Sequence, residues 1–365
     1  MPRLLVTGGA GFIGANFVHY WLGRYPDDRL VVLDSLTYAG NLSNLDSVKA
    51  HPSFRFVKGD ICDTQLVFRT LQSEKIDTIV HFAAESHVDR SIAQPDGFLE
   101  TNVIGTLHLL TAARNAWIGK RGASLPHRFH HISTDEVYGS LSLTDPPFSE
   151  SHQYRPNSPY SASKAASDHI VRAYHKTYGL QVTTTNCSNN YGPYQFPEKL
   201  IPLLIVNVLL GKPLPVYGDG LNVRDWLHVS DHCLAIDKVL RKGAIGEYYN
   251  VGGENERKNI DIVHAICRLI DEQFSQSPDL HRRFPDSPAR DGASETLVAF
   301  IQDRPGHDRR YAVGNTKIST ELGFVPHKTF QEGLRDTVNW YLENEKWWRS
   351  VQDGSYRTTS IQGSE

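Results

Sequence analysis

A doubly wound parallel α/β sheet of Rossmann type, followed by a smaller α/β C-terminal lobe, is predicted by three features of this 365-residue chain. Short apolar runs alternate with longer amphipathic stretches through the first half, a glycine-rich turn follows the first run, and an aspartate closes the second. At this length the chain can bury a large core, and two lobes are expected.

Leu4-Leu5-Val6 reads as a buried strand, followed by Thr7-Gly8-Gly9-Ala10-Gly11-Phe12-Ile13-Gly14 and an amphipathic stretch through Trp21-Leu22. Gly8, Gly11 and Gly14 recur every third residue, as needed where backbone approaches a pyrophosphate and a helix lies close on its strand. The spacing departs from G-x-G-x-x-G. Leu30-Val31-Val32-Leu33 is the second strand, and Asp34 stands 20 residues after Gly14. A carboxylate there accepts hydrogen bonds from an adenosine ribose and repels a 2′-phosphate, so NAD is favoured over NADP; a plain turn aspartate is the alternative. Asp60 after Phe54-Arg55-Phe56-Val57, and the run Thr78-Ile79-Val80-His81-Phe82-Ala83-Ala84, repeat the strand-then-site pattern.

Residues 97–117 and 162–178 carry helical patterns, the first with Phe98, Leu99, Val103, Ile104, Leu107, Leu110 and Ala113 as apolar positions. One face packs on the sheet; a second suits a helical dimer contact, although wholly internal packing fits as well. Between them Phe129-His130-His131-Ile132-Ser133 reads as a strand, and Pro159 sets up the following helix. After about Asn189 prolines and glycines become frequent, which marks the second lobe, while Tyr248-Tyr249-Asn250-Val251-Gly252-Gly253 reads as a further strand of the first sheet. The expected division is 1–188, with returns at about 226–257 and 308–316, for the cofactor lobe. Segments 189–225, 258–307 and 317–350 form the second lobe, and 351–365 a polar, frayed tail. Residues 275–294, with three prolines and several arginines, read as a loop or excursion.

Two segments carry chemistry. Tyr160-Ser161-Ala162-Ser163-Lys164 puts a phenol and an ammonium at i and i+4, on one helical face. An ammonium beside a phenol lowers its pKa toward neutrality, which lets tyrosine act as a base on an alcohol. The spacing alone also occurs on ordinary helix faces. Ser133-Thr134-Asp135-Glu136-Val137-Tyr138-Gly139 then adds two adjacent carboxyls that a plain alcohol dehydrogenase has no need of. Oxidation coupled to a second proton transfer explains them; a capped turn after a strand is the bland alternative.

With these residues in hand, the chain resembles the extended short-chain dehydrogenase/reductases and, among them, the dTDP-glucose 4,6-dehydratases. The similarity runs from Arg3 to about Tyr356. It rests on Thr7 to Gly14, Asp34 to Asn41, Ala83 to Ser91, Ser133 to Gly139, Tyr160 to Lys164, Asn186 to Pro193, Phe196 to Pro202, Arg224-Asp225-Trp226 and Asp303 to Tyr311. The glycine turn and Tyr-x-x-x-Lys belong to the whole superfamily; the Thr-Asp-Glu triplet and Arg-Pro-Gly-His are more selective.

The resemblance implies a lyase with a tightly bound NAD regenerated in every turnover. Tyr160, aided by Lys164 and Thr134, would take the C4 hydroxyl proton, Glu136 the C5 proton, and Asp135 would protonate the departing C6 oxygen, leaving a 4-keto-6-deoxy sugar. Cofactor contacts are implied at Gly8, Gly11, Phe12, Ile13, Gly14, Asp34, Ser35, Thr37, Gly40, Asp60, Ile61, Phe82, Ala83, Ala84, Thr101, Tyr160, Lys164 and Asn190. Substrate contacts are implied at Ser86, His87, Thr134, Asn189, Lys199, Leu200, Pro215, Tyr217, Arg224, Asn259 and His307. Taken singly, Arg224 could be an ion-pair partner of Asp225 or Asp231, Tyr217 a core aromatic, and His87 a satisfied polar residue. The family also implies a homodimer.

Three other readings stay open: a dehydratase of another nucleotide sugar, a UDP-sugar 4-epimerase, which has no need of the Asp135-Glu136 pair, and a non-catalytic NAD-binding protein. A net charge of −3 gives no electrostatic reason to expect nucleic acid or an anionic membrane. The longest apolar stretch, 201–210, contains Pro202 and Asn207 and is short of the roughly 20 residues a membrane span needs. The first strand begins within four residues of Met1, leaving no room for a signal peptide, so a cytoplasmic protein is expected. Cys62, Cys187, Cys233 and Cys267 are widely spaced and read as free thiols of a reducing compartment. The 17 histidines raise a metal reading, which fails: His130 and His131 point to opposite faces of a strand, and His81 and His87 lack partners at ligand spacing. No metal is expected.

Overall fold

The computed structural model describes residues 2–118 and 125–357. Its strands are β1 (Arg3–Thr7), β2 (Arg29–Asp34), β3 (Phe54–Lys58), β4 (Thr78–His81), β5 (Arg128–Thr134), β6 (Val182–Cys187), β7 (Asn189–Tyr191), β8 (Leu214–Tyr217), β9 (Val223–His228), β10 (Tyr248–Val251), β11 (Glu256–Lys258) and β12 (Val298–Ile301). Seven of them form one parallel sheet in the order β10-β6-β5-β4-β1-β2-β3, as the alternating pattern predicts. Chain order reverses between β1 and β4, which opens a crevice at the carboxyl ends of these strands. Smaller sheets, β11-β9-β7 and β12-β8, lie beyond.

The helices are α1 (Phe12–Arg24), α2 (Thr64–Ser73), α3 (Val88–Ala93), α4 (Asp96–Phe98), α5 (Thr106–Trp117), α6 (Pro159–Tyr178), α7 (Leu200–Leu209), α8 (Val229–Lys242), α9 (Asn259–Gln276), α10 (Pro278–Arg283), α11 (Thr316–Leu322), α12 (Phe330–Glu343) and α13 (Glu345–Asp353). The strands are apolar on both faces because both are covered. Leu5, Val31, Ile79 and Phe129 pack under α2, α5 and α6, while Leu4, Val32, Val80 and Ile132 pack under α1 and α8. A separate core holds the second lobe, where α7, α9, α12 and α13 close around Phe274, Tyr341 and Trp348.

The expected helix over 97–117 forms, but α4 runs into α5 through a wider-wound turn, Leu99–Gly105. That turn carries Thr101 to the crevice and Asn102 into the core, where the amide bonds both the N–H and C=O of Glu85 and the Ser163 hydroxyl. α6 starts at Pro159, as that proline predicts, and Ser158 and Ser161 close a capping box there.

Three expectations need correction. Residues 275–294 are not a loop: α9 continues to Gln276, α10 follows, and Leu280, Phe284 and Ala289 enter the second core. The segment from 317 does not all belong to that lobe, since Ile318 and Leu322 of α11 pack with Tyr249, Val251 and Ala235 beside the main sheet. The tail is not frayed as far as it is described: Val351 and Tyr356 are buried. Residues 358–365 of that tail lie outside the described residues.

Candidate active site

A cleft of about 320 Å³ follows the carboxyl ends of the central strands. Every residue expected to touch the cofactor lines it, from the turn after β1 (Gly8, Gly11, Phe12, Ile13, Gly14), through Asp34, Ser35, Thr37, Gly40, Asp60 and Ile61, to Phe82, Ala83, Ala84, Thr101 and Asn190. The turn fits a dinucleotide. Gly8 adopts φ +70°, and a Cβ on it would lie 2.6 Å from the Ala83 nitrogen. Gly11 caps α1 without any side-chain bond, which leaves the first backbone donors of the helix for an anion. Asp34 is held at the cleft wall by the N–H groups of Ala10 (2.9 Å) and Leu36 (2.8 Å). No cation stands among the lining residues between 33 and 61 that could accept a 2′-phosphate.

All five expected catalytic residues meet in the same cleft. Thr134 ends β5 and caps the tight turn Asp135–Tyr138, its hydroxyl accepting from the Glu136 N–H at 3.3 Å. The capped turn and the chemical pair are therefore one feature, since the cap aims both carboxyls. Tyr160 and Lys164 share one buried face of α6. The Lys164 ammonium donates to the Ile132 carbonyl at 2.8 Å, which fixes it beneath the cleft floor.

The expected direction of the Tyr160 shift is corrected. Burial first, and then the negative charge of Glu136, push the phenol well above its ordinary value, with the Thr134 hydrogen bond working the other way. Burial pulls the Lys164 ammonium down.

The two adjacent carboxyls sit in different fields. Asp135 is pushed well up by burial, by Glu136 and by Asp225, and its Oδ2 is buried without a partner. Glu136 is also raised by burial, but Arg224, Arg304 and Lys199 all act to hold it down. The environments therefore favour a protonated Asp135 beside a Glu136 that ionises more readily, an acid next to a base.

Ser86, Asn189 and Lys199 complete this wall, with the Lys199 ammonium donating to the Ser86 carbonyl at 2.8 Å. Arg224 is not an ion-pair partner of Asp225 or Asp231. It donates to the carbonyls of Val223 (2.7 Å) and Asp308 (2.9 Å), and lies over the Tyr311 ring at 4.3 Å. Asp225 instead accepts from the N–H groups of Gly253 and Asn255.

The other expected substrate residues fall outside the lining of the main cleft. Pro215 and Tyr217 lie on β8, Tyr217 with its ring edge-on to His307, whose Nδ1 is 2.6 Å from Asp303. Asn259 opens α9 with its Oδ1 buried and unpartnered, and Leu200 opens α7 against the second core. His87 caps α3, accepting from the Arg90 N–H, and is 3.8 Å from Glu198.

Sequence reasoning missed Tyr38, Gln195, Phe196, Cys187 and Glu198, which line the cleft, and Arg304, whose charge acts on Glu136. Tyr38, Cys187, Phe196, Glu198 and Arg304 lie inside segments that carry the family resemblance, so a signal was present. His130 and His131 do bond on opposite sides, to Thr183 (2.9 Å) and Asp168 (3.0 Å). Among the described residues no cluster of three His, Cys, Asp or Glu could hold a metal, and no helix is long and apolar enough to cross a membrane. The four cysteines are free; three are buried.

A family profile described as GDP-mannose 4,6 dehydratase matches residues 5–337. The dTDP-glucose 4,6-dehydratase of Xanthomonas campestris pv. campestris strain B100 is 56% identical over 367 residues, 99% of each chain. The solved dTDP-glucose 4,6-dehydratase of Streptomyces venezuelae, with NAD bound, superposes with a TM-score of 0.85 at 50% identity, covering 96% of this chain and 99% of that one. A UDP-glucose 4-epimerase from Thermus thermophilus superposes nearly as well, with a TM-score of 0.78, but at 29% identity over 94% of this chain and 99% of that one.

Proposed function

The chain belongs to the GDP-mannose 4,6 dehydratase family and, within it, to the dTDP-glucose 4,6-dehydratases, and from there we propose that it converts dTDP-glucose to dTDP-4-keto-6-deoxyglucose and water. The observation that carries the reading is the split between Asp135 and Glu136 beside Tyr160 at the mouth of a dinucleotide cleft. A 4-epimerase needs the tyrosine and the cleft but no second acid and base.

Held by the turn after β1 and by Asp34, NAD would supply a hydride acceptor for C4 and, once reduced, a hydride donor for C6, so no net oxidation would accumulate. Tyr160 takes the C4 hydroxyl proton as a phenolate, a form that burial and Glu136 oppose and that the cationic nicotinamide of a bound NAD would favour, with Thr134 bonded to the same sugar oxygen. The C4 ketone acidifies the neighbouring C5–H, and Glu136, with three cations favouring its ionised form, removes that proton. Asp135, kept protonated by burial and by Glu136, gives its proton to the C6 oxygen as it leaves as water. Arg224 and Lys199 supply charge for the diphosphate, and Tyr217, Pro215, Asn259 and His307 form the slot for the base.

The same reading assigns 1–188 to the cofactor lobe and makes the protein a cytoplasmic homodimer. Leu99 is 51% exposed, with Val103, Ile104 and Leu107 half-buried along the wide turn and the start of α5, and Tyr178, 40% exposed, ends α6, so these helices offer apolar surface to a second copy. Free, mostly buried thiols suit a reducing compartment.

Purified protein incubated with dTDP-glucose and no added NAD is expected to yield a product lighter by one water, with the ultraviolet absorbance of a 4-keto sugar in alkali and no build-up of NADH. Unchanged mass with C4 epimers formed from a UDP-sugar would overturn the dehydratase in favour of an epimerase. No turnover of either would leave the non-catalytic reading.

A further inference from the structure

A buried carboxylate that does not line the cleft ties the two catalytic segments together. Asp168 lies one turn beyond Lys164, as Lys164 lies one turn beyond Tyr160, so all three share a face of α6. It is fully buried, and both of its oxygens are hydrogen-bonded. Oδ2 accepts from the hydroxyls of Ser133 (2.8 Å) and Tyr154 (2.9 Å) and from the Asn186 amide (3.4 Å), and Oδ1 is 3.0 Å from His131 Nε2. His131 and Ser133 stand on β5 directly before Thr134, Asp135 and Glu136, and Asn186 on the neighbouring β6. One side chain thus clamps the helix that carries the phenol and ammonium onto the strand that carries the acid and base.

The hydroxyl bonds do not by themselves require a charge; an asparagine carbonyl could accept from both hydroxyls. The charge has a different addressee. Lys164 is a buried cation whose ammonium donates to a backbone carbonyl, and no carboxylate lies within 4.0 Å of it among the described residues. An uncompensated buried ammonium tends to lose its proton. Asp168 is the strongest influence holding Lys164 up, and Lys164 the strongest holding Asp168 down from where burial pushes it.

We propose that Asp168 is a positioning residue of the reaction: its side chain ties α6 to β5, which keeps Tyr160 at Thr134, and its carboxylate charge serves as the buried counter-charge of Lys164. The inference rests on the dehydratase reading above and deepens it.

The test compares Asp168→Asn, Tyr154→Phe, Lys164→Met and Asp168→Asn/Lys164→Met with the unaltered protein on dTDP-glucose. Asp168→Asn is expected to lower kcat by about tenfold or more while KM stays within about threefold and bound NAD is retained. Tyr154→Phe, which removes the hydroxyl's bonds to Asp168 and Asn186 but keeps the carboxylate's charge, should hold kcat within about threefold. Asp168→Asn with undiminished kcat per folded molecule overturns the proposal.

Thermal unfolding keeps the question decidable if Asp168→Asn alone folds poorly. In the Lys164→Met background the carboxylate has lost its cation, so adding Asp168→Asn should raise the Tm; a merely structural Asp168 would lower it, which also overturns the proposal. An unaltered protein that leaves dTDP-glucose untouched would sink the dehydratase reading itself, whereas the Tm comparison needs no substrate.

Discussion

The hydroxyl of Tyr356 donates to the backbone carbonyl of Tyr38, so the far end of the described chain is tied to the loop after β2. Tyr38 lines the cofactor cleft, and Tyr356 is 4% exposed, its ring edge-on to Phe196. Phe196 in turn meets the Tyr38 ring, over which the Arg90 guanidinium lies at 3.8 Å while reaching Glu198 at 2.9 Å. This aromatic strap holds the adenosine side of the cleft. Tyr356→Ala should therefore loosen the cofactor more than Tyr356→Phe, which keeps the ring and gives up the hydroxyl's bonds to Tyr38 and Arg357, each of about 1 kcal/mol. Bound NAD remaining after gel filtration measures it; equal retention in both variants and the unaltered protein would refute the strap.

The first lobe is legible because parallel strands covered on both sides must be continuously apolar, and Leu4 to Val6 and Leu30 to Leu33 are. The tail misleads for the opposite reason: Gln352, Asp353, Gly354 and Ser355 precede Tyr356, and one aromatic gives no period to detect. In 275–294 the prolines suggest breaks, but Pro278 and Pro288 occupy first turns of short helices, where a missing N–H costs nothing.

Gly14 tests the turn after β1 most directly. A Cβ there would lie 2.2 Å from the Gly8 carbonyl oxygen, a backbone atom that cannot swing aside. Gly14→Ala should cost about 2 kcal/mol or more and empty the protein of NAD, since the turn must open to admit the methyl group. Gly23, on the same helix α1, has nothing within 4 Å of its added Cβ, so Gly23→Ala should keep NAD and gain up to about 1 kcal/mol from helix propensity. Thermal unfolding and NAD content of the pair decide it.

For the acid and base, Glu136→Gln is expected to lower water loss by about a hundredfold or more while some C4 oxidation persists, seen as NADH absorbance on mixing with dTDP-glucose. Rates should fall on the acid side as Glu136 gains its proton and on the alkaline side as Asp135 loses one, giving a bell.

Stability should move the other way. Both carboxyls have folded pKa values above their unfolded ones, so the stability they contribute is whole below the ordinary carboxylate range and is lost as pH rises through the folded values. At neutral pH Asp135→Asn should then melt above the unaltered protein, with the gap closing as the pH falls toward about 4. A Tm below that of the unaltered protein at neutral pH would contradict it.

Within the site, the residue types were legible but their couplings were not. Tyr-x-x-x-Lys announces a phenol and an ammonium on one face; that the ammonium is turned to the Ile132 carbonyl depends on how α6 sits on β5. Likewise Arg304, 168 residues beyond Glu136, reaches it only because β12 pairs with β8 and brings the chain back over the cleft. Such long-range fields leave no local spacing to read.

Arg224 joins the two halves of the chemistry, because one guanidinium serves the expected diphosphate and also leads the cations acting on Glu136. Arg224→Met should raise KM for dTDP-glucose by about tenfold to a hundredfold through lost charge-assisted bonds. It should also move the acid limb of the rate profile to higher pH, since Glu136 then has less to hold it down. Arg224→Lys separates the two effects: a lysine keeps the charge near Glu136, so the limb should stay, but it cannot keep the fork that bonds Val223 and Asp308, so KM should still rise. A limb that moves equally in both variants would show that the position of the guanidinium, and not its charge, sets the base.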